Sequence, residues 1–347
     1  MTKANTGKTN AGRFFEDYSI GQLIDHAVPR TVGSGERALY HAFYPARHAL
    51  YSSDQFARAC GLNSAPLDDL IAFHTVFGKT VPDISLNALA NLGYAEGRWL
   101  APVWPGDTLR SASEVIGLKQ NSNGKSGVVW VRTRGVNQHD EAVLEYVRWV
   151  MVKKRDFDAP APVTVIPVLA AAVDAGRLVV PNGLDFTKYD FALAGEPHRL
   201  GDYAVGEVID HVDGVTIEEA EHMLATRLWQ NTAKVHFDAG AREGGRLIYG
   251  GHVISMARAL SFNGLANAQI IAGLNGGAHA NPCHAGDTIR AWSEVLDRAE
   301  TAAPGVGALR LRLVATKGGG PGKLRDEDGR YLPDVLLDLD YWALAPM

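Results

Sequence analysis

Alternating apolar and polar residues mark several short strands in both halves of the chain. The clearest case is Leu309, Leu311 and Leu313, which alternate with Arg310 and Arg312. A period of two places the leucines on one face of a strand and the arginines on a wetter face. We predict strands at residues 23–32, 108–118, 128–137 and 142–153, and again at 208–217, 288–296, 308–316 and 335–344.

One apolar segment in each half has helical spacing instead. Val253, Met256, Ala257 and Leu260 follow the Gly250-Gly251 pair, and the residues between them are small, so this helix can be buried nearly all round. In the first half, Leu67, Leu70, Ile71 and His74 recur in the same way. One long helix beside a mainly antiparallel sheet predicts an α+β layer arrangement in each half.

The chain also repeats itself. Asp17-Tyr-Ser-Ile-Gly21 is echoed by Asp202-Tyr-Ala-Val-Gly206, and Gly106-Asp-Thr-Leu-Arg110 by Gly286-Asp-Thr-Ile-Arg290. The offsets are 185 and 180 residues, which fits two copies of one unit that have gained small insertions. We therefore predict a flexible tail at 1–12, one unit at 13–155, a proline-containing connector at 156–186 and a second unit at 187–347.

Composition narrows the classes of function. The net charge of −5 and the pI near 6.2 argue against a nucleic-acid surface. Cys60 and Cys283 are too few for a disulfide framework, which favours a reducing compartment. No apolar stretch reaches 18 residues and the first twelve residues are polar, so we expect a soluble cytoplasmic protein without a membrane partner.

The candidate chemistry lies in the second half. His236 ends a polar loop, and Gly250-Gly251 opens the buried helix about 15 residues later. The first turn of a helix has free N–H groups that can hold an anion or a developing oxyanion. An imidazole beside such donors suits proton transfer next to a carbonyl group.

These residues resemble the MaoC-like hydratase family, whose double-hotdog members contain two tandem hotdog units. The resemblance is carried by Val235-His-Phe-Asp238, Leu247-Ile-Tyr-Gly-Gly251 and Gly286-Asp-Thr288. More narrowly, the segment at 83–99 is similar to mesaconyl-CoA hydratases, also called β-methylmalyl-CoA dehydratases. The resemblance implies a double hotdog, a CoA-thioester substrate, reversible hydration without a cofactor, and a homodimer of chains.

The active loop departs from the family pattern at one position. His236 matches the family histidine, but Asn231 stands where the family has aspartate. An amide cannot act as a base. Mesaconyl-C1-CoA carries a carboxylate on the carbon that receives water, and a second carboxylate about 4 Å away would cost roughly 1–4 kcal/mol. Asn231 removes this repulsion; neutral drift is the alternative.

Several other residues are candidates for roles around this loop. We expect catalysis by His236, Asn231, Gly250 and Gly251. For substrate binding the candidates are Asp238, Arg242, Arg258 and Arg98. We expect His74 to be packed, His26 and His211 to be structural, and the segment from 276 to 284, with His279, Cys283 and His284, to be a turn before a strand without a metal.

Three alternative functions stay open from the sequence. The same fold supports acyl-CoA thioesterases, for which Asp238 is the only acid in the loop. An (R)-specific hydratase acting on simple fatty enoyl-CoA is the second, and a non-catalytic acyl-CoA-binding subunit is the third. In the first unit Ser52 aligns with His236, so we expect that unit to shape the pocket and not to catalyse.

Overall fold

Ten strands form one continuous antiparallel sheet. The computed structural model describes residues 7–347. The strands are β1 (Leu23–Thr31), β2 (Ala88–Trp99), β3 (Thr108–Gln120), β4 (Ser126–Val136), β5 (Ala142–Lys153), β6 (Val208–Thr216), β7 (Ile270–His279), β8 (Thr288–Glu300), β9 (Val306–Lys317) and β10 (Val335–Pro346). Their order across the sheet is β1-β3-β4-β5-β2-β7-β10-β9-β8-β6. The second half of this order mirrors the first, as the sequence repeat predicts.

Four α-helices of 10 to 12 residues and five shorter ones accompany the sheet in the described residues. They are α1 (Ser34–Phe43), α2 (Ala49–Ser52), α3 (Asp54–Ala59), α4 (Asp69–Thr80), α5 (Phe191–Ala194), α6 (Glu219–Leu228), α7 (Lys234–Phe237), α8 (Gly250–Leu260) and α9 (Phe262–Leu265). A π-helical turn, Val81–Ser85, extends α4. Between residues 7 and 347, no helix combines the length and the apolar character that a membrane span requires.

The two predicted helices are confirmed as the centre of the fold. Every residue of α4 is buried, and so is every residue of α8 except Gly250. Helix α4 packs on β1, β3 and β5, and α8 packs on β6, β8, β9 and β10. His74 joins the helices, with Nε2 2.7 Å from Ser255 Oγ and Nδ1 3.2 Å from Tyr249 Oη. The α+β double-hotdog prediction is therefore confirmed.

All eight predicted strands are present, but β2 and β7 were not predicted. The prediction of a turn at residues 276–284 is wrong for the first part of the segment, because β7 continues to His279. These two strands pair with each other, Tyr94 opposite Gly277 and Arg98 opposite Gly273, and so join the two halves of the sheet. They are rich in alanine, glycine and asparagine, which have low strand propensity.

Close packing explains the glycines of these strands. A Cβ atom at Gly93 would lie 2.3 Å from the Trp149 ring, and one at Gly97 would lie 2.6 Å from Leu274 Cβ. A larger side chain would therefore separate the strands. Packing demands at the junction override the intrinsic preference for β-branched residues.

The two predicted structural histidines occupy equivalent positions. His26 Nε2 lies 2.8 Å from Ser113 Oγ, and His211 Nε2 lies 2.8 Å from Ser293 Oγ. The division at residues 13–155, 156–186 and 187–347 stays a prediction. The connector residue Val173 contacts the second half, accepting from Trp342 Nε1 at 3.1 Å and donating to Asn275 Oδ1 at 2.8 Å.

Candidate active site

A cavity of about 370 Å³ lies where the two halves meet. The second half contributes the α7 loop, the start of α8 and the end of β7. The first half contributes β2 and β5. Polar residues in its wall include Ser85, Asn91, Tyr94, Arg148, Asn231, His236, Tyr249, His279 and Asn281. The sequence-predicted His236, Asn231 and Gly250 thus meet at one cavity.

His236 is oriented as a proton acceptor. Its Nδ1 lies 2.9 Å from the carbonyl oxygen of Leu247. A carbonyl only accepts, so Nδ1 carries the proton and Nε2 keeps its lone pair. Burial lowers the pKa of His236 to about 4, against the opposing effect of the bond to Leu247. The ring is therefore neutral near pH 7.

Asn231 is held by the backbone just before α7. It is buried, its N–H donates to the carbonyl of Thr226 at 2.9 Å, and its Oδ1 accepts from the N–H of Ala233 at 3.3 Å. This arrangement fixes the amide in the cavity wall five residues before His236. The amide can orient a water molecule by hydrogen bonding but cannot take its proton.

The first turn of α8 provides unpaired donors. His252 and Val253 donate to the carbonyl of Tyr249, and the N–H of Tyr249 itself donates to His222 Nε2 at 2.9 Å. Gly250 and Gly251 are the first two residues of α8. Their N–H groups stand at positions where a helix has no intrahelical acceptor.

Gly250 and Gly251 differ in what surrounds them. Gly250 lines the cavity, and a Cβ there would lie 2.3 Å from Cε1 of His279. A Cβ at Gly251 would instead lie 2.4 Å from the Tyr249 ring, and Gly251 is not part of the cavity wall. Of the two glycines, only Gly250 therefore lies in the cavity wall.

His279 is a site residue that the sequence interpretation missed. Its ring packs on Gly250, and its Nε2 lies 3.1 Å from Tyr94 Oη. Burial, and to a smaller extent His236, lowers the pKa of His279 to about 4. The alignment of the repeats placed Trp99 at the equivalent position, which suggested a structural turn and concealed the residue.

Arg148 and Asn91 were missed as well. Arg148 is fully buried on β5, and Asn91 faces the same cavity from β2. A signal was present in the sequence, since Arg148 is in phase with Tyr146, Val150 and Val152 on a strand whose face is otherwise apolar. A charged residue at a core position of a strand is unusual enough to indicate a special environment.

The four predicted substrate-binding residues do not line the cavity. Asp238 and Arg242 are exposed, and Asp238 Oδ1 accepts from the N–H of Gly240 at 2.9 Å. Arg258 is buried and donates to Ser261 Oγ at 3.1 Å and to the carbonyl of Ala268. Arg98 pairs with Glu145 at 3.3 Å. These arginines are already occupied or lie outside the wall.

The equivalent place in the first half is nearly filled. Pro66 and Trp99 stand where Gly250 and His279 stand in the second half, and the remaining space is about 20 Å³. Asp69 there accepts from the N–H of Ile271 at 2.6 Å and from the Tyr51 hydroxyl. Ser52, which aligns with His236, donates to the carbonyl of His48 at 3.0 Å.

The chain is similar to proteins of known activity over nearly its whole length. Residues 2–318 match the family model described as mesaconyl-CoA hydratase. Over 341 residues the chain is 77% identical to the mesaconyl-CoA hydratase of Cereibacter sphaeroides, covering 98% of this chain and 99% of that one. Over 350 residues it is 58% identical to the β-methylmalyl-CoA dehydratase of Chloroflexus aurantiacus, with 98% and 99% covered.

Solved structures agree with the fold. A MaoC domain protein dehydratase from Chloroflexus aurantiacus has a TM-score of 0.95 at 57% identity, covering 98% of this chain and 99% of that one. A double-hotdog protein from Mycobacterium tuberculosis has a TM-score of 0.72 at 24% identity, with 96% and 98% covered. The second likeness concerns the fold alone.

Proposed function

This chain belongs to the mesaconyl-CoA hydratase family, and we propose that it reversibly hydrates mesaconyl-C1-CoA to β-methylmalyl-CoA, that is, (2R,3S)-3-methylmalyl-CoA. The observation that carries the assignment of the site is the pairing of a neutral His236, whose Nε2 is free, with the open N–H of Gly250 at one cavity. No cofactor is needed for this addition.

The reaction begins with removal of a proton from water by His236 Nε2. The water oxygen bonds to the β-carbon, and the π electrons of the double bond move toward the α-carbon and the thioester oxygen. The Gly250 N–H stabilises this oxyanion, and one preorganised donor of this kind contributes about 3–4 kcal/mol. The imidazolium then returns the proton to the α-carbon, which completes syn addition.

Asn231 positions the attacking water in this scheme. Its amide is fixed by the backbone contacts to Thr226 and Ala233 and faces the cavity that His236 also faces. A hydrogen bond from a fixed amide restricts the water without adding charge. One base is then sufficient, because the same histidine accepts and returns the proton.

Hydrolysis of the thioester is less well supported. Thioesterases of this fold use a carboxylate to activate water, whereas no aspartate or glutamate occurs among the described residues that line the cavity. Asp238, the only acid of the active loop, is exposed and caps the turn at Gly240.

A parallel assay separates the two reactions. The protein is incubated with mesaconyl-C1-CoA and with crotonyl-CoA, and both the enoyl-thioester absorbance and free thiol are followed. Loss of absorbance without thiol release supports hydration. Release of thiol, or no turnover of either compound, would remove the proposal.

We also propose that the protein forms a homodimer of chains. The family resemblance suggests a homodimer of chains, which light scattering after size-exclusion chromatography would test. We further propose a cytoplasmic location, because the chain has only two cysteines, which favours a reducing compartment. The sequence offers Arg242 for the substrate carboxylate and Asp238 for orienting the substrate, but both lie on the exposed loop after α7 and outside the cavity wall.

A further inference from the structure

We propose that Arg148, together with Asn91, binds the free carboxylate of the substrate. The inference rests on the proposed function and assigns the part of the cavity that would distinguish a dicarboxylic acyl group from a simple one. Neither residue belongs to the loop that contains His236.

Arg148 is a buried cation whose hydrogen bonds are incomplete. Its Nη2 donates to Thr80 Oγ1 at 2.7 Å and to Ser85 Oγ at 3.4 Å. Its Nε and Nη1 are buried without a protein partner. In the described chain no carboxylate lies within the 4.0 Å limit of an ion pair with Arg148. A buried charge of this kind is costly unless something else pairs with it.

The rest of its environment holds the guanidinium in place. Thr80 Oγ1 donates to the carbonyl of Phe77 at 2.7 Å, which leaves the hydroxyl lone pairs for Arg148. The guanidinium carbon lies 4.3 Å from the centre of the Phe77 ring. The group is thus oriented before any ligand arrives, and a guanidinium can bind a carboxylate through two parallel N–H donors.

Asn91 provides neutral polar atoms on the neighbouring strand. In the ladder between β2 and β5 it lies opposite Val150, two residues from Arg148 on the same face. Both its Nδ2 and its Oδ1 are buried without a protein partner. Two adjacent side chains with unpaired donors in one cavity wall indicate a ligand that accepts hydrogen bonds.

The charge of the cavity matches one carboxylate. Arg148 is the only lysine or arginine among the described lining residues, none of which is acidic. Burial keeps His236 and His279 neutral near pH 7, since it lowers the pKa of each to about 4. The wall therefore carries one positive charge, which a substrate with one free carboxylate neutralises and a simple enoyl-CoA does not.

The decisive comparison uses two substrates that differ at this carboxylate. Mesaconyl-C1-CoA and tiglyl-CoA share the thioester, the α-methyl group and the double bond, but tiglyl-CoA has a methyl group in place of the carboxylate. We expect Arg148→Met to lower kcat/KM for mesaconyl-C1-CoA at least about 100-fold and to change that for tiglyl-CoA less than about threefold. Arg132→Met, on the neighbouring strand β4 and paired with Glu96 at 2.8 Å outside the cavity, is the matched control and should leave the ratio unchanged.

A second variant tests the same idea without deleting the cation. Asn91→Asp would place a carboxylate beside Arg148, where it competes with the substrate for the guanidinium. The melting temperature of the Asn91→Asp variant should rise. Its KM for mesaconyl-C1-CoA should increase at least about tenfold relative to its KM for tiglyl-CoA.

The outcomes separate this inference from the proposed function. If the wild-type protein hydrates mesaconyl-C1-CoA but folded Arg148 and Asn91 variants leave the substrate ratio unchanged, the carboxylate site is wrong and the hydratase assignment stands. If the wild-type protein hydrates neither substrate, the proposed function itself fails.

Discussion

At the scale of single residues, the protonation state of His236 decides what the site can do. Its Nδ1 hydrogen bond to Leu247 leaves Nε2 as the proton acceptor. We expect His236→Gln to lower kcat at least about 100-fold with little change in the affinity for a saturated CoA thioester, because the group acts in the transition state. Ser52→Ala, at the aligned position of the first half, is the control. Near-normal turnover of the His236 variant would move the base elsewhere.

The low pKa of His236 predicts an unusual pH dependence of kcat/KM. An ordinary histidine titrates near pH 6.5, but burial lowers the pKa of His236 to about 4. The neutral, active form therefore persists as the pH falls to about 5, and kcat/KM should stay flat between pH 8 and about 5. Activity should decline only near pH 4. A profile with a midpoint near 6.5, measured while circular dichroism shows an intact fold, would contradict this account.

Asn231 tests whether the site is suited to a charged substrate. Asn231→Asp would place a second carboxylate near that of mesaconyl-C1-CoA, with a repulsion of roughly 1–4 kcal/mol at about 4 Å. The ratio of kcat/KM for mesaconyl-C1-CoA to that for crotonyl-CoA should fall at least about fivefold. High salt should reduce the effect where the site is open to ions. A ratio that moves less than about twofold, or ~0.4 kcal/mol, would indicate that Asn231 is neutral drift.

At the scale of elements, the first residue of α8 combines a free N–H with close packing. A Cβ at Gly250 would lie 2.3 Å from the His279 ring, in the cavity wall. We expect Gly250→Ala to lower kcat at least about tenfold, because the ring must move into the space of the thioester. Gly35→Ala is the matched control: it also lies in the first turn of a helix, and a Cβ there meets nothing within 4 Å. Full activity of folded Gly250→Ala would show that the His279 ring can move aside without disturbing the site, and would contradict this packing argument.

Elements with strong patterns could be predicted, and those defined by mutual packing could not. The period of two found β9, and the helical spacing found α8, since each depends on one buried face of a single segment. Strands β2 and β7 depend on each other: their glycines permit close contacts with Trp149, Leu274 and Leu339 that do not appear in either segment alone.

Some residues of the candidate site could likewise be predicted from the sequence, and others could not. His236, Asn231 and Gly250 lie close together in the sequence and were predicted as a group. Arg148 and Asn91 come from β5 and β2, and their approach to the cavity depends on the pairing of those strands with the other half. The sequence favours Arg242 and Arg258 for substrate binding because they lie near the active loop along the chain. Nearness in the sequence does not place a side chain in the cavity.

At the scale of the whole molecule, buried histidines link stability to pH. Burial lowers the pKa of His74 and His222 to about 3 and of His211, His236, His252 and His279 to about 4. The unfolded chain, with histidine values near 6.5, therefore binds more protons as the pH falls, and the stability present above pH 6.5 is lost toward pH 4. Asp69 acts in the opposite direction, since burial and Asp68 raise its pKa to about 8.

Urea unfolding at several pH values would measure this linkage. Because more histidines than carboxyl groups are shifted, we expect net uptake of at least one proton on unfolding between pH 6.5 and 4.5. Each such proton lowers the free energy of unfolding by about 1.4 kcal/mol per pH unit. His74→Gln should reduce the slope by up to one proton. A free energy of unfolding that is constant or rises on acidification would contradict the prediction.

The junction between β2 and β7 has a consequence for how such a protein can change. In a dimer of identical hotdog units, one substitution alters both pockets at once, so a residue that suits catalysis in one place is imposed on the other. Here both units belong to a single chain, so one substitution changes a residue on only one side of the junction. His236 and Arg148 come from opposite sides and face one cavity, while the other cavity is nearly filled. In a fused chain the two units can therefore change independently, so that one can supply the base and the other the residues that bind the acyl group.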